Sequence, residues 1–195
     1  MSSGLFGNGC VYFWGAAPQK YPAGCKHFVF SQWHMCEFVD PDNGNNFTSA
    51  EQYMMAGKAS LFNDHATLQK ILECHDPRKV KALGRRVVDF DDEVWKAHRY
   101  EIVRKGNELK FGQNEDLREA LLSTGDLDIA EASPVDRIWG IGLNPQKAAE
   151  TTSPSQWKGQ NLLGKALIEV RQKLRDETEV PETGDDATEA QTGEM

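Results

Sequence analysis

An acid and an amine on one apolar helix face are the first residues that could do chemistry. The stretch FTSAEQYMMAGKASLF spans Phe47 to Phe62, with Glu51 and Lys58 seven residues apart. That spacing puts both on one helical face, which Met54 and Met55 share. Two turns separate the charges by about 10 Å along the axis. That is too far for an i,i+4 ion pair, but two such ends can flank one small ligand. Structural readings compete. Thr48-x-x-Glu51 fits a capping box that would occupy Glu51, and Ser49-x-x-Gln52 fits the same pattern one residue later, leaving Glu51 free. Lys58 equally reads as a lysine whose stem covers apolar surface while its ammonium snorkels to water.

A second cluster is EASPVDRIWGIG, residues 131–142. Read as extended chain, it sends Asp136 and Ile138 one way, Arg137 and Trp139 the other. Gly140 and Gly142 would let backbone approach a ligand closely. The plainer readings make Asp136 a turn former and Trp139 a core residue. LGRRVVDFDDEVW sets Arg85 and Arg86 behind a helix end, where arginines bond the last carbonyls or grip a phosphate as a bidentate fork. Trp95, later in that stretch, reads by default as core. Walker A and GxGxxG motifs are absent. The cysteines at 10, 25, 36 and 74 show no CxxC, and the five histidines form no HExxH or HxH. No metal, no cofactor and no disulfide framework are therefore expected.

These residues need elements to hold them. VYFW (11–14), FVFSQW (28–33) and CEFV (36–39) are aromatic and β-branched pieces between Gly/Pro turns, and they predict strands. Helices follow from Thr48 or Ser49 to about Phe62, from Asp64 to Cys74, and from Asp76-Pro77 to Gly84. A longer one is predicted from Asp92 to Lys110, with Val94, Trp95, His98, Ile102 and Val103 on one face. Asn114 is placed as the cap of a fifth helix that Gly125 ends, LDIAEA and DRIWGIG as strands or extended segments, and NLLGKALIEVRQKLRD as a last helix. Strands and helices segregate without βαβ alternation, so the expected fold is α+β, a mainly helical single domain with a small sheet.

Charge divides the chain. The net charge of −8 comes from the segment after Arg175, whose eight acidic residues have no basic partner. Residues 176–195 are accordingly read as a disordered acidic tail, residues 10–175 as the domain, and 1–9 as a flexible N-terminus. The neutral domain argues against a broad nucleic-acid surface but leaves room to grip one nucleotide or one modified end. MSSGLFGNGC has no signal-peptide pattern, and no apolar run approaches membrane-spanning length, so a cytoplasmic or nuclear location away from membranes is expected.

The order of these pieces resembles a family. FSQW (30–33), FTSAEQYMMAGKASLF, LGR (83–85), VW (94–95), KFGQN (110–114), LLSTGD (121–126), EASPVDRIWGIG and GQNLLGKALIEVR (159–171) are similar, in this order, to the YbiA-like, or NADAR, superfamily. The resemblance covers about residues 10–175. Two departures stand out: Gln52 occupies a position that is commonly histidine, and Ser31-Gln32 stands for the usual serine-asparagine. The resemblance implies hydrolysis of an N-glycosidic bond to an exocyclic amine. The substrate would be ADP-ribosylated guanine in DNA or RNA, or an early ribosylamino intermediate of riboflavin synthesis; a module that binds ADP-ribose without cleaving it is the alternative. It implies Glu51, Lys58 and Asp136 as catalytic residues. Ser31, Gln32, Trp33, Arg85, Arg86, Trp95 and Trp139 would bind substrate, with the tryptophans at 95 and 139 stacking on base or ribose.

Overall fold

The computed structural model describes residues 6–7 and 9–179. Its strands are β1 (Phe6–Gly7), β2 (Cys10–Phe13), β3 (Phe38–Val39), β4 (Asn46–Phe47) and β5 (Asp128–Glu131). Its helices are α1 (Ala50–Leu61), α2 (His65–Leu72), α3 (Pro77–Gly84), α4 (Asp92–Gly112), α5 (Glu115–Leu122), α6 (Pro145–Ala149) and α7 (Leu162–Glu179). The fold is α+β, mainly helical, with a three-stranded sheet ordered β1-β2-β5 and a β3–β4 hairpin.

β2 explains its own sequence. All four of its residues are buried, because each face of the sheet is covered, and such strands read as unbroken apolar runs. Val11, Phe13 and Ile129 join the helical core, whereas Cys10, Tyr12 and Ala130 pack under Ile141, Leu143 and Ala148. β2 and β5 pair in parallel, Val11 with Ile129 and Phe13 with Glu131, so α1 to α5 all lie within one crossover. β1 adds antiparallel through Phe6 and Val11, inside the stretch expected to precede the domain. At the other end α7 runs on to Glu179, past Asp176 where the acidic tail was expected to begin; the rest of that tail lies outside the described residues.

Local capping sets most helix starts. Asp64, Asp76 and Asp91 accept backbone N–H groups at the heads of α2, α3 and α4. Asn114 stands at the head of α5 but does not cap it; its amide donates to Lys110 O and Glu37 O at 2.9 and 3.0 Å. Two other expectations change. FVFSQW is not a strand: His27–Phe30 forms a 3₁₀ turn, pinned by Lys110. Lys110 is fully buried in α4, and its Nζ donates to Val29 O at 2.6 Å and Ser31 O at 3.0 Å. Burial lowers its pKa to about 8. DRIWGIG is a loop, because Asp136 Oδ1 accepts from the N–H groups of Ile138 and Trp139, both at 2.8 Å, and curls the chain.

Gln52 resolves the competing cap frames. Ser49 caps α1 by accepting from Gln52 N. The Gln52 side chain then works at long range: Oε1 accepts from Thr48 N at 2.7 Å, and Nε2 lies within 3.2 Å of the carbonyls of Ile71, Leu72 and Cys74. It thus closes the C-terminal end of α2 on the first turn of α1. Gln52→Ala is expected to destabilise the fold by about 3 kcal/mol, for several lost bonds and orphaned carbonyls. Urea unfolding checks this; turnover per folded molecule should stay at the wild-type level.

The four cysteines are free thiols. Among the described residues no helix is long and apolar enough to cross a membrane, and no His/Cys/Asp/Glu group is arranged to hold a metal ion.

Candidate active site

α1 presents Glu51, Met54, Met55 and Lys58 to a single cavity of about 430 Å³. A period-3.6 stripe accounts for their common direction, and the close approach of α3 brings the opposing wall. Gly84 makes that approach possible, since a Cβ there would collide with the Met55 side chain. Lys81, Gly84 and Arg85 line the cavity from this side, and Trp95 enters from the first turn of α4. Ser31, Gln32 and Trp33 arrive from the turn that Lys110 holds; Glu131, Asp136 and Trp139 come from the end of β5 and the loop after it.

Nine of the ten residues named from the sequence therefore meet in one place. Arg86 does not; it is exposed outside the cavity. Asp136 and Trp139 share the cavity although alternation along an extended chain would separate them, and the Asp136 turn is the reason. Gly140 and Gly142 do not line it: a Cβ on Gly140 would lie 2.8 Å from Glu131 O, so that glycine serves loop packing. Trp95 is half-buried, packing against the core on one side and lining the cavity on the other, because full burial along α4 begins only at Val103. Gln52, at the family's histidine position, is likewise absent from the cavity wall. Lys81, Glu131 and Trp14 line it without having been singled out. For Glu131 the signal was present, as the first residue of the 131–142 motif.

Glu51 is buried to 2% exposure, and its Oε1 has no hydrogen-bond partner among the described residues. Its backbone is fixed by N–H donation to Gln32 O at 2.9 Å. Burial raises its pKa, against the pull of Lys81 and of hydrogen bonding by Trp33; the Asp136 charge raises it further, and Arg85 opposes. Gln32 Nε2 is a second buried polar atom of the cavity lining without a partner among the described residues. Native interiors pair such groups, so two at one cavity mark a place where something else supplies the partner.

Lys58 shifts the opposite way. Burial lowers its pKa, opposed by the Asp92 charge. Nζ donates to Gly84 O at 2.9 Å and lies 3.9 Å from the Phe90 ring centroid and 5.7 Å from that of Trp95. An acid pushed toward its protonated form and an amine pushed toward its neutral form thus share one helix face. Asp136 differs from both, since its Oδ1 is already an acceptor for the turn. With Lys81 and Arg85 the cavity also carries cations that suit an anionic ligand group.

The NADAR domain model matches residues 12–175 of the chain. N-glycosidase R617 of Acanthamoeba polyphaga mimivirus is 48% identical over 166 residues, covering 84% of this chain and 95% of that protein. Protein irg-1 of Caenorhabditis elegans is 38% identical, over 66% of this chain and 61% of that protein. Among solved structures, the NMR structure of the E. coli protein YbiA superposes with a TM-score of 0.69 at 22% identity, covering 91% of this chain and 95% of that one, which shows a common fold.

Proposed function

The chain belongs to the NADAR domain family, and from that premise we propose that it is an N-glycosyl hydrolase that cuts the bond between ribose C1 and an exocyclic amine, removing ADP-ribose from ADP-ribosylated guanine in nucleic acid. The observation that carries this reading is the buried, unpartnered Glu51 oxygen in a cavity wall two helical turns from a desolvated amine. Similarity to a protein named as an N-glycosidase supports the same reaction class.

A ribose bonded to an exocyclic amine is a glycosylamine, an N,O-acetal that opens to an imine when an acid protonates the ring oxygen. Glu51, tending to its protonated form, supplies that acid. Lys58 then adds to C1 as a neutral amine, and departure of the base amine leaves a Schiff base that water hydrolyses. The carboxylate of Glu51 or Asp136 takes the proton from that water. Trp95 and Trp139 offer faces for the base or ribose, Ser31 and Gln32 bond ribose hydroxyls, Trp33 steadies Glu51, and Arg85 with Lys81 meets the pyrophosphate. The cavity volume falls in the range usual for small-molecule sites.

The test offers purified protein an ADP-ribosylated guanine oligonucleotide and, separately, a ribosylaminopyrimidine phosphate of the riboflavin route. ADP-ribose release from the first is expected to be the faster. The reverse order would move the substrate to the riboflavin intermediate with the chemistry kept. Binding of ADP-ribose with neither substrate cleaved would make the cavity a recognition module.

A further inference from the structure

Glu131 has no task in the scheme above, yet its place in the cavity is closely set. It ends β5 opposite Phe13, and its N–H donates to Asn161 Oδ1 at 3.2 Å. Its carbonyl accepts from Ile141 N and Ser133 N, both at 2.9 Å. The strand end is thereby clamped under the 132–142 loop, and the side chain leaves it into the cavity wall. Among the described residues its carboxyl makes no hydrogen bond, so no structural partner accounts for it. The charges around it come from three elements, Asp136 from the loop, Glu51 from α1 and Lys81 from α3, and its own charge reaches the Tyr21 phenol.

We propose that Glu131 is the general acid that protonates the departing exocyclic amine, a catalytic role separate from the ring-opening acid Glu51. The inference rests on the reading that this cavity cleaves a C1–N bond. In the step, the Glu131 proton passes to the exocyclic nitrogen while the C1–N electron pair goes to that nitrogen. The Lys58 nitrogen, having released to solvent the proton it held in surplus after adding to C1, supplies the lone pair that forms the new C1=N bond, so the base leaves as a neutral amine. Glu131 is left as a carboxylate and takes up its proton again from solvent after the base has left. An amide-like amine is a poor leaving group without that proton. Glu131 is suited to hold one: burial, Asp136 and Glu51 raise its pKa to about 8 against the pull of Lys81. Asp136 is not equivalent, because its Oδ1 accepts backbone N–H groups.

The test is the pH dependence of kcat/KM on an ADP-ribosylated guanine oligonucleotide for wild type, Glu131→Gln and Glu131→Asp. Wild type should lose kcat/KM as pH rises above about 8. Glu131→Gln should lower kcat by about 10²-fold or more, with ADP-ribose affinity unchanged and the alkaline decline gone. Glu131→Asp should keep part of the rate and shift the decline, which holds the test open should the glutamine variant fail to fold. A glutamine variant with wild-type kcat and an unchanged decline would overturn the assignment while leaving the reaction in place. A wild type that releases no ADP-ribose at all would overturn the parent reading instead.

Discussion

Glu51→Gln should cut kcat for ADP-ribosyl release by about 10³-fold and at the same time raise thermal stability above pH 7. The two effects have one cause. Glu51 is buried with an oxygen that nothing pairs, and its folded pKa lies above its unfolded value. The folded state therefore holds more protons than the unfolded state once pH exceeds the usual carboxylate range, and stability falls as pH rises through that window. Glutamine carries no such charge and fills the same volume. The gain in Tm should vanish below about pH 4, where glutamate is protonated in both states. ADP-ribose affinity should hold within a few-fold, separating lost chemistry from lost binding. A variant that turns over at the wild-type rate would remove Glu51 from the reaction.

Lys58→Arg carries the second large effect. Arginine keeps a charge, a donor for Gly84 O and a partner for the Phe90 and Trp95 rings, but it does not become a neutral nucleophile. If Lys58 served only to bind or to pack, arginine would preserve much of the activity. As nucleophile, its loss should cost on the order of 10⁴-fold in kcat. Borohydride added during turnover should leave a ribose-derived adduct on Lys58 of the wild type and none on the arginine variant. An adduct on Lys81 would move the nucleophile to α3; no adduct on any lysine would favour direct attack by water. The carboxylate that pulls the Lys58 pKa upward is Asp92, and burial outweighs it.

The site was more legible than the sheet. Glu51, Met54, Met55 and Lys58 follow from one helical period, and family order brought in residues from four other segments. Sequence offered Asp136 as a turn former but could not show that this turn puts Trp139 on the same side of the cavity. The aromatic run 28–33 has the composition of a strand, but its conformation is dictated from α4 by a lysine that no local pattern marks as buried. The parallel pairing of β2 with β5 joins distant parts of the chain and leaves no short-range signature. The helix α6 has one, Asn144 before Pro145, but it spans only five residues. Glu131 and Lys81 matter through charges that meet only in the folded cavity, so their types alone gave them no priority.

The central claim is that this cavity breaks the bond between ribose C1 and the exocyclic amine of ADP-ribosylated guanine. Mass spectrometry of a single-guanine oligonucleotide carrying one ADP-ribosyl group tests it directly. Incubation with the wild-type protein should return the unmodified oligonucleotide and an equimolar amount of free ADP-ribose, while Glu51→Gln leaves the mass unchanged. An oligonucleotide that stays fully modified with active-site-saturating protein, or one that retains the ribose after cleavage in the pyrophosphate, would contradict it.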